Sequence, residues 1–396
     1  MVTAAASHKP PAIDWRLALM AGVLVVIALV FNVLSGGIFL SPENLYNIAQ
    51  QTAVVGIIST VVVLVIVARH IDLSVGSVMG FVGVLIATLQ YSAGWSWIEA
   101  SLAGLAVALA VSVYQGALTA VLGVPSFVVT LGGLMSFRGA AFLVADGKTQ
   151  PVSDPFFLSL GGGYDGAVGV GATWAIAAVA CLALVALRLT KRQSQKRYGA
   201  ALNPLWLDSA LVLVPVALVL AFAASMNAYS IPNKDAPQGV PIPVLIWATV
   251  ALLLSFIVHR TRFGRYIFAM GGNPEAAALV GIPVRRVTLM LFALLGLLIT
   301  IAAMVSVARL NAGTNSLGTG MELYVIAAAV IGGTALAGGS GSILGSVLGA
   351  LIMQSIDSGM LLLDVSIGLR YVIIGQVLIA AVVFDVLYRR LTGDTV

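Results

Sequence analysis

Residues Gly271 to Val307 read GGNPEAAALVGIPVRRVTLMLFALLGLLITIAAMVSV, and the two halves of that stretch decide the fold. The second half, Val287–Val307, is an apolar run longer than the roughly 18 residues that mark a membrane-spanning helix. The first half is a short helix with polar edges. Asn273 is a good N-cap, Pro274 suits the first helical position, Glu275 puts negative charge at the positive helix end, and Gly281 supplies the left-handed stop. A helix of about seven residues is only roughly 10 Å long. Arg260, Arg262 and Arg265 flank it on one side, Arg285 and Arg286 on the other. A rigid, well-capped helix kept in a basic loop between spanning segments reads as a docking element, where a transporter would receive force from a motor.

The rest of the chain has the same membrane character. It is 60% hydrophobic and 9% charged, with a mean hydropathy of +1.07, which excludes an ordinary soluble domain. Helical segments are expected near Leu17–Leu34, Ile48–Ala68, Leu73–Leu89, Trp97–Leu122, Phe127–Val144 and Val168–Leu187. Six more follow near Leu207–Ala224, Ile242–Val258, Val287–Val307, Leu323–Ala337, Ile343–Leu363 and Ile367–Leu387. The third, eighth and tenth are short and fit half-spans or re-entrant pieces. The expected fold is therefore an all-α polytopic membrane protein with about 10 to 12 spans.

Basic residues set the orientation. With a cytoplasmic N-terminus, all of the 20 Lys and Arg except Arg138, Lys148, Lys234, Arg309 and Arg370 lie in or beside inside loops. Both termini are then cytoplasmic, and the basic pI of about 9.4 reports topology and not nucleic-acid binding. Met1–Arg16 is short and polar, and the run after it is too long for a signal-peptide core, so it reads as an uncleaved first span. A single cysteine, Cys181, rules out an intramolecular disulfide.

No outside loop is large enough to form a domain; the longest, about Ala145–Gly166, carries Asp146, Asp154 and Asp165 among glycines and prolines. No inside loop is large enough for an ATPase. Two phosphate-loop resemblances fail. Gly147-Lys148-Thr149 lacks the required glycine, since that place is Phe142, and Gly161, Gly163 and Gly166 match G-x-G-x-x-G with no preceding strand. His8, His70 and His259 are scattered, so no metal site and no catalytic cluster is expected.

The second informative stretch is His70–Gly80, HIDLSVGSVMG. Asp72 lies at the junction of two apolar runs, where an ionisable group costs about 2.5–3.5 kcal/mol at the bilayer centre on insertion scales. Two readings stand: a cytoplasmic turn with an Asp cap, or a broken helix contributing to a path or gate. Ser74 and Ser77 could satisfy freed backbone or the carboxylate, and Gly76 with Gly80 gives small-x-x-x-small packing. A related pattern recurs in Ala337–Ala350, AGGSGSILGSVLGA, with Gly341, Gly345 and Gly349 on one helix face. Aligning Gly76-Ser77 with Gly341-Ser342 also pairs Gly80 with Gly345, a weak internal repeat of the kind transporters carry. Asn47, Gln50, Gln51, Arg138, Asn311 and Gln354 are candidate pathway residues, each equally readable as an interhelical hydrogen bond.

At these residues the chain resembles a known family. IDLSVGSVMG, the EAA-x-x-x-G pattern from Glu275-Ala276-Ala277 to Gly281, and IGGTALAGGSGSILG at Ile331–Gly345 are similar to the monosaccharide branch of ABC-importer permeases, from about Ser41 to Arg390. VPSFVVTLGGLMSFRG at Val124–Gly139, IDSGMLLLDV at Ile356–Val365, and the extra basic loop plus span at Lys191–Gln238 resemble the D-xylose permeases most. The resemblance implies one permease domain, with halves at 17–190 and 242–390 and an insertion at 191–241. It also implies a homodimer in the bacterial inner membrane, a periplasmic sugar-binding protein, and a separate ATPase subunit that binds ATP and Mg. Gly272, Asn273, Glu275, Ala276, Ala277 and Gly281 match the family's coupling-loop motif, within a helix at 273–281 seated on the ATPase. The rivals are a permease for another substrate such as ribose, an ion-gradient-driven transporter and a channel. Asp72, Glu322, Asp357 and Asp364 all fall near segment ends, which disfavours the second, and no filter motif supports the third.

Overall fold

The computed structural model describes residues 15–199, 202, 204–231 and 236–392. The polar N-terminal stretch before Trp15, with His8, and the inserted-loop residue Lys234 lie outside the described residues. The helices are α1 Trp15–Leu34, α2 Pro42–Val67, α3 Val75–Tyr91, α4 Trp97–Ala120 and α5 Ser126–Val144. Next come α6 Pro155–Ser159, α7 Gly169–Arg197, α8 Leu205–Asn227, α9 Ile242–Arg260 and α10 Arg262–Gly272. The last are α11 Pro274–Leu279, α12 Val284–Leu310, α13 Met321–Ile331, α14 Ile343–Leu362 and α15 Ile367–Thr392. A two-residue antiparallel bridge, β1 Gln150–Pro151 with β2 Ala312–Gly313, is the sheet among these residues.

Ten of these helices are long and apolar enough to cross a membrane, and α3 and α13 are shorter apolar helices. The chain is an all-α polytopic membrane protein. The eighth apolar segment is not short: α9 continues through His259 and Arg260, cations that favour a helix C-terminus, until Thr261 caps the next helix. Periodicity missed α6 and α10, which are short, capped by Asp154 and Thr261, and lie outside the long apolar runs.

The described residues form two compact units. One comprises Met1–Leu19 and Ala167–Val240; within it α7 and α8 form a hairpin. Arg188 and Arg192 of α7 both reach Asp208 of α8, while Val240 N donates to Thr173 Oγ1 at 2.9 Å and Gly169 N to Gln238 O at 2.9 Å.

The other unit comprises Met20–Gly166 and Pro241–Val396, and its axis is α2. From Ala53 to Val67 every residue of α2 is buried, because a helix apolar on all sides has no face to give to water or polar loops. It packs against α9, α12, α13 and α14. Ser346 Oγ of α14 donates to Ser59 Oγ of α2 at 2.9 Å. Close approach elsewhere depends on missing side chains: a Cβ on Gly349 of α14 would stand 2.0 Å from the Ala328 carbonyl of α13.

Substituting Gly349→Val is therefore expected to destabilise the purified protein by about 1–3 kcal/mol, the usual cost of overpacking. Thermal unfolding in detergent checks this, and an unchanged midpoint would mean that α13 and α14 do not pack backbone to backbone.

Candidate functional site

Two non-helical stretches in this unit border α3, one leading into it and one lying along its first turns. The first lies between α2 and α3. Backbone leaving the helical ladder inside a membrane protein must find other partners, and here α5 provides them. Ile71 N donates to Ser126 Oγ at 3.1 Å, Leu73 N donates to Thr130 Oγ1 at 3.1 Å, and Thr130 Oγ1 donates to Ile71 O at 3.2 Å. Asp72 is 1% exposed, and its Oδ1 accepts from both the N–H and the hydroxyl of Ser74 at 2.7 Å. Ser74 in turn exchanges hydrogen bonds with Gln115 of α4, at 3.0 and 3.2 Å. Asp72 thus organises a buried break and is not part of an open turn.

The second interruption is the non-helical stretch from Thr314 to Gly320, which precedes α13. It lies along α3. Cβ atoms placed on Gly76 and Gly80 would each stand 2.3 Å from a carbonyl of this stretch, those of Gly318 and Leu317. Gly76 and Gly80 of α3 therefore receive irregular backbone, with the first turn of α13 also reaching Gly76. Arg138 of α5 donates to Leu317 O at 2.8 Å and to Asn315 O at 3.3 Å. Glu322, in the first turn of α13, points its Oε2 at Gly76 in the first turn of α3 and interacts electrostatically with Arg138. Glu322 Oε2, Ser77 Oγ and Asn315 Oδ1 are buried and have no hydrogen-bond partner.

A separate polar group occupies α2 and α14. Gln354 donates to Gln51 Oε1 at 3.3 Å, Ser358 donates to Asn44 at 2.9 Å, and Gln50 and Tyr46 both reach the carbonyl of Gly162. Asp357 of α14 accepts from Tyr324 of α13 at 2.9 Å and from Arg370 of α15 at 2.6 Å. Asn47 is exposed and stands apart. Asn311 is the left-handed C-cap of α12, with φ 55°, and its carbonyl accepts from Val152 N at 2.9 Å. The structure thus gathers Gln50, Gln51 and Gln354 in one place, Asp72 and Ser74 in a second, and Arg138 in a third.

The short helix expected from sequence is α11. Asn273 Oδ1 accepts from Ala276 N at 3.0 Å, and Gly281, at φ 86°, closes the other end as Ile282 N donates to Ala277 O at 3.0 Å. Ala277 is 4% exposed and seats the helix against its own chain. Leu279 at 89% and Val280 at 78% point away from it. Gly272, Glu275 and Ala276 are exposed as well. α11 therefore presents an exposed apolar pair beside a charged, capped N-terminus.

Gly341 and Gly345 belong to the α13–α14 connection and to α14: a Cβ on Gly341 would meet Val67 and Val63 of α2, and one on Gly345 the Gly332 carbonyl. Gly147-Lys148-Thr149 is an exposed turn in which Lys148 donates to Asp146 at 2.8 Å and holds its carboxyl below the ordinary range. Sequence reasoning missed Gln115, Ser126, Thr130 and Arg69. Ser126 and Thr130 sit one helical turn apart in the otherwise apolar first half of α5, which is a signal that the face meets irregular backbone.

A family model described as branched-chain amino acid transport system / permease component matches residues 44–382. The xylose transport system permease protein of Haemophilus influenzae is 35% identical over 378 residues, 95% of this chain and 98% of that protein. Its Escherichia coli K12 counterpart is 36% identical over 371 residues, covering 94% and 92%. The ribose import permease protein of Escherichia coli K12 is 32% identical over 371 residues, 92% of each chain. No solved structure matches.

Removing the buried acceptor at the first break is expected to cost about 1–3 kcal/mol, because Asp72→Ala leaves the N–H of Ser74 unpaired while its hydroxyl keeps only Gln115. Asp72→Asn keeps an acceptor oxygen and should stay close to the parent in thermal stability. Equal losses for the two variants would show that the charge, and not the acceptor, holds the break.

Proposed function

The chain belongs to the family of branched-chain amino acid transport system / permease components, and from that premise we propose that it is the membrane-spanning subunit of an ATP-driven sugar importer whose substrate is D-xylose. The observation that carries the sugar is similarity along nearly the whole chain to relatives named for xylose, higher than to the relative named for ribose. The two breaks support a transport role. A sugar offers hydroxyls that donate and accept, and the chain holds buried oxygens without a hydrogen-bond partner at Glu322, beside Gly76, and at Ser77 and Asn315.

In this reading the chain is a single permease domain with an insertion at 191–241. It sits in a bacterial inner membrane as a pair of copies, with the termini and α11 on the cytoplasmic side. A periplasmic sugar-binding protein delivers ligand, and a separate ATPase subunit binds ATP and Mg. The ATPase seats α11 in a groove through Asn273, Glu275, Ala276 and the exposed Leu279–Val280 pair. Closure of the ATPase pushes α11, α12 moves with it through the short Val280–Pro283 link, and the helices around the two breaks tilt to switch access. The chain itself carries no hydrolysis step.

Two experiments test this. Uptake of labelled D-xylose and D-ribose is measured in cells lacking their own pentose importers, with the binding protein and ATPase co-expressed. Xylose uptake should exceed ribose uptake, survive a protonophore while ATP stays high, and vanish without the ATPase; uptake that collapses with the proton gradient and ignores the ATPase would mean an ion-coupled carrier. Reversing the charge at the start of α11 with Glu275→Arg should remove substrate-stimulated ATP hydrolysis by the assembled complex. Normal stimulation in that variant would exclude α11 as the docking helix.

A further inference from the structure

The end of α2 breaks a local rule. Arg69 N donates to Ile66 O at 2.8 Å and His70 N to Val65 O at 3.0 Å, the two bonds of a Schellman C-cap, with Arg69 at the left-handed position at φ 67°. That position favours glycine, because a Cβ there crowds the neighbouring carbonyl. Glycine fills the equivalent place after α11, at Gly281, and after α13, at Gly333, and short Asp or Asn side chains, which tolerate it, fill it after α5, α12 and α14, at Asp146, Asn311 and Asp364. An arginine held in an unfavourable backbone state points to a use for its side chain.

The side chain spans to α10. Its Nε donates to Gly271 O at 2.7 Å and its Nη2 donates to Gly272 O at 2.6 Å. These are terminal carbonyls of α10 without an intrahelical partner, so a cation here meets the negative ends of α2 and α10 together. The next residue, Asn273, is the N-cap of α11. The same corner holds the turn after α13: Gly339 N donates to Val67 O at 2.9 Å, and a Cβ on Gly338 would press on the Arg69 stem at 2.4 Å. A Cβ on Gly271 would stand 1.9 Å from Val67 O. Three stretches therefore meet without slack: the root of α11, the break that begins α3, and the turn that leads into α14.

We infer that Arg69 is the positioning residue that carries displacement of α11 to the α2–α3 break and to the Gly338–Gly339 turn. The inference rests on α11 being the element on which the ATPase acts. A guanidinium suits the task because its planar fork grips two carbonyls at a fixed angle, whereas an ammonium holds a point. Motion of the α10–α11 corner is then passed as rotation to the backbone at His70–Ser74. That backbone is pinned at its far end by Ser126 and Thr130, next to the glycine face of α3.

The test uses the complete complex of permease, ATPase and binding protein in liposomes, with D-xylose as the probe. Arg69→Gly removes the grip while supplying the residue the cap prefers, so folding and co-purification with the ATPase should persist. ATP hydrolysis should continue to respond to loaded binding protein, while xylose moved per ATP falls about tenfold, within the usual range of coupling between sites. Arg69→Lys, which keeps the charge but not the two-point grip, should fall between parent and Arg69→Gly. A transport-to-hydrolysis ratio equal to the parent in both variants overturns the inference. So does a proportional loss of transport and hydrolysis, which marks a merely structural role. Glu275→Arg run in parallel separates the premises. Normal stimulation there removes the docking role of α11, whereas lost stimulation there with a parental ratio in Arg69→Gly removes only the joint.

Discussion

Backbone polar groups inside a bilayer have no water to turn to, and each one left unpaired costs several kcal/mol. This chain leaves the helical ladder before α3 and before α13, against buried parts of its bundle, and much of the surrounding structure meets the resulting demand. Ser126 and Thr130 are hydroxyls on a lipid-length helix because Ile71 and Leu73 need partners. Arg138 is an arginine in a spanning segment because the carbonyls of Asn315 and Leu317 face it. Asp72 lies where a carboxylate is costly because the backbone N–H of Ser74, at the start of α3, would otherwise lack an acceptor.

The glycines complete the arrangement by letting irregular backbone lie flat on a helix. On α3 the residues spaced for helix pairing hold the Leu317–Gly318 stretch, so the first turns of α3 and α13 come together with Glu322 between them. On α14, Gly345 and Gly349 lie against the α13 side, at Gly332 and Ala328. α13 is thus short, bounded by glycines at both ends and clasped along its length.

α11 belongs to the same unit as the two breaks. α11 is stiff because both of its ends are closed, and it shows Leu279 and Val280 outward because Ala277 is the residue that faces its own chain. Its root is fastened to the end of α2 through the carbonyls of α10. The first break and the root of α11 are therefore in direct contact although Arg69 and Gly271 are about 200 residues apart in sequence.

The amino-acid sequence alone determined what depends on local order. Apolar length defined the spans, cap chemistry defined α11 down to Asn273 and Gly281, and the Gly76–Gly80 and Gly341–Gly349 patterns announced close packing. Asp72 was legible as an anomaly but not as a buried acceptor, since a carboxylate between two apolar runs has the same sequence whether the junction lies at the surface or within the bundle. What touches what was decided by tertiary structure. Gly76 and Gly80 meet irregular backbone, Gln51 pairs with Gln354, Asn47 and Asn311 stand apart, and Arg69 grips α10. Those contacts join segments far apart in the chain, and a periodicity of 3.6 residues specifies which face of a helix is apolar without specifying its neighbour.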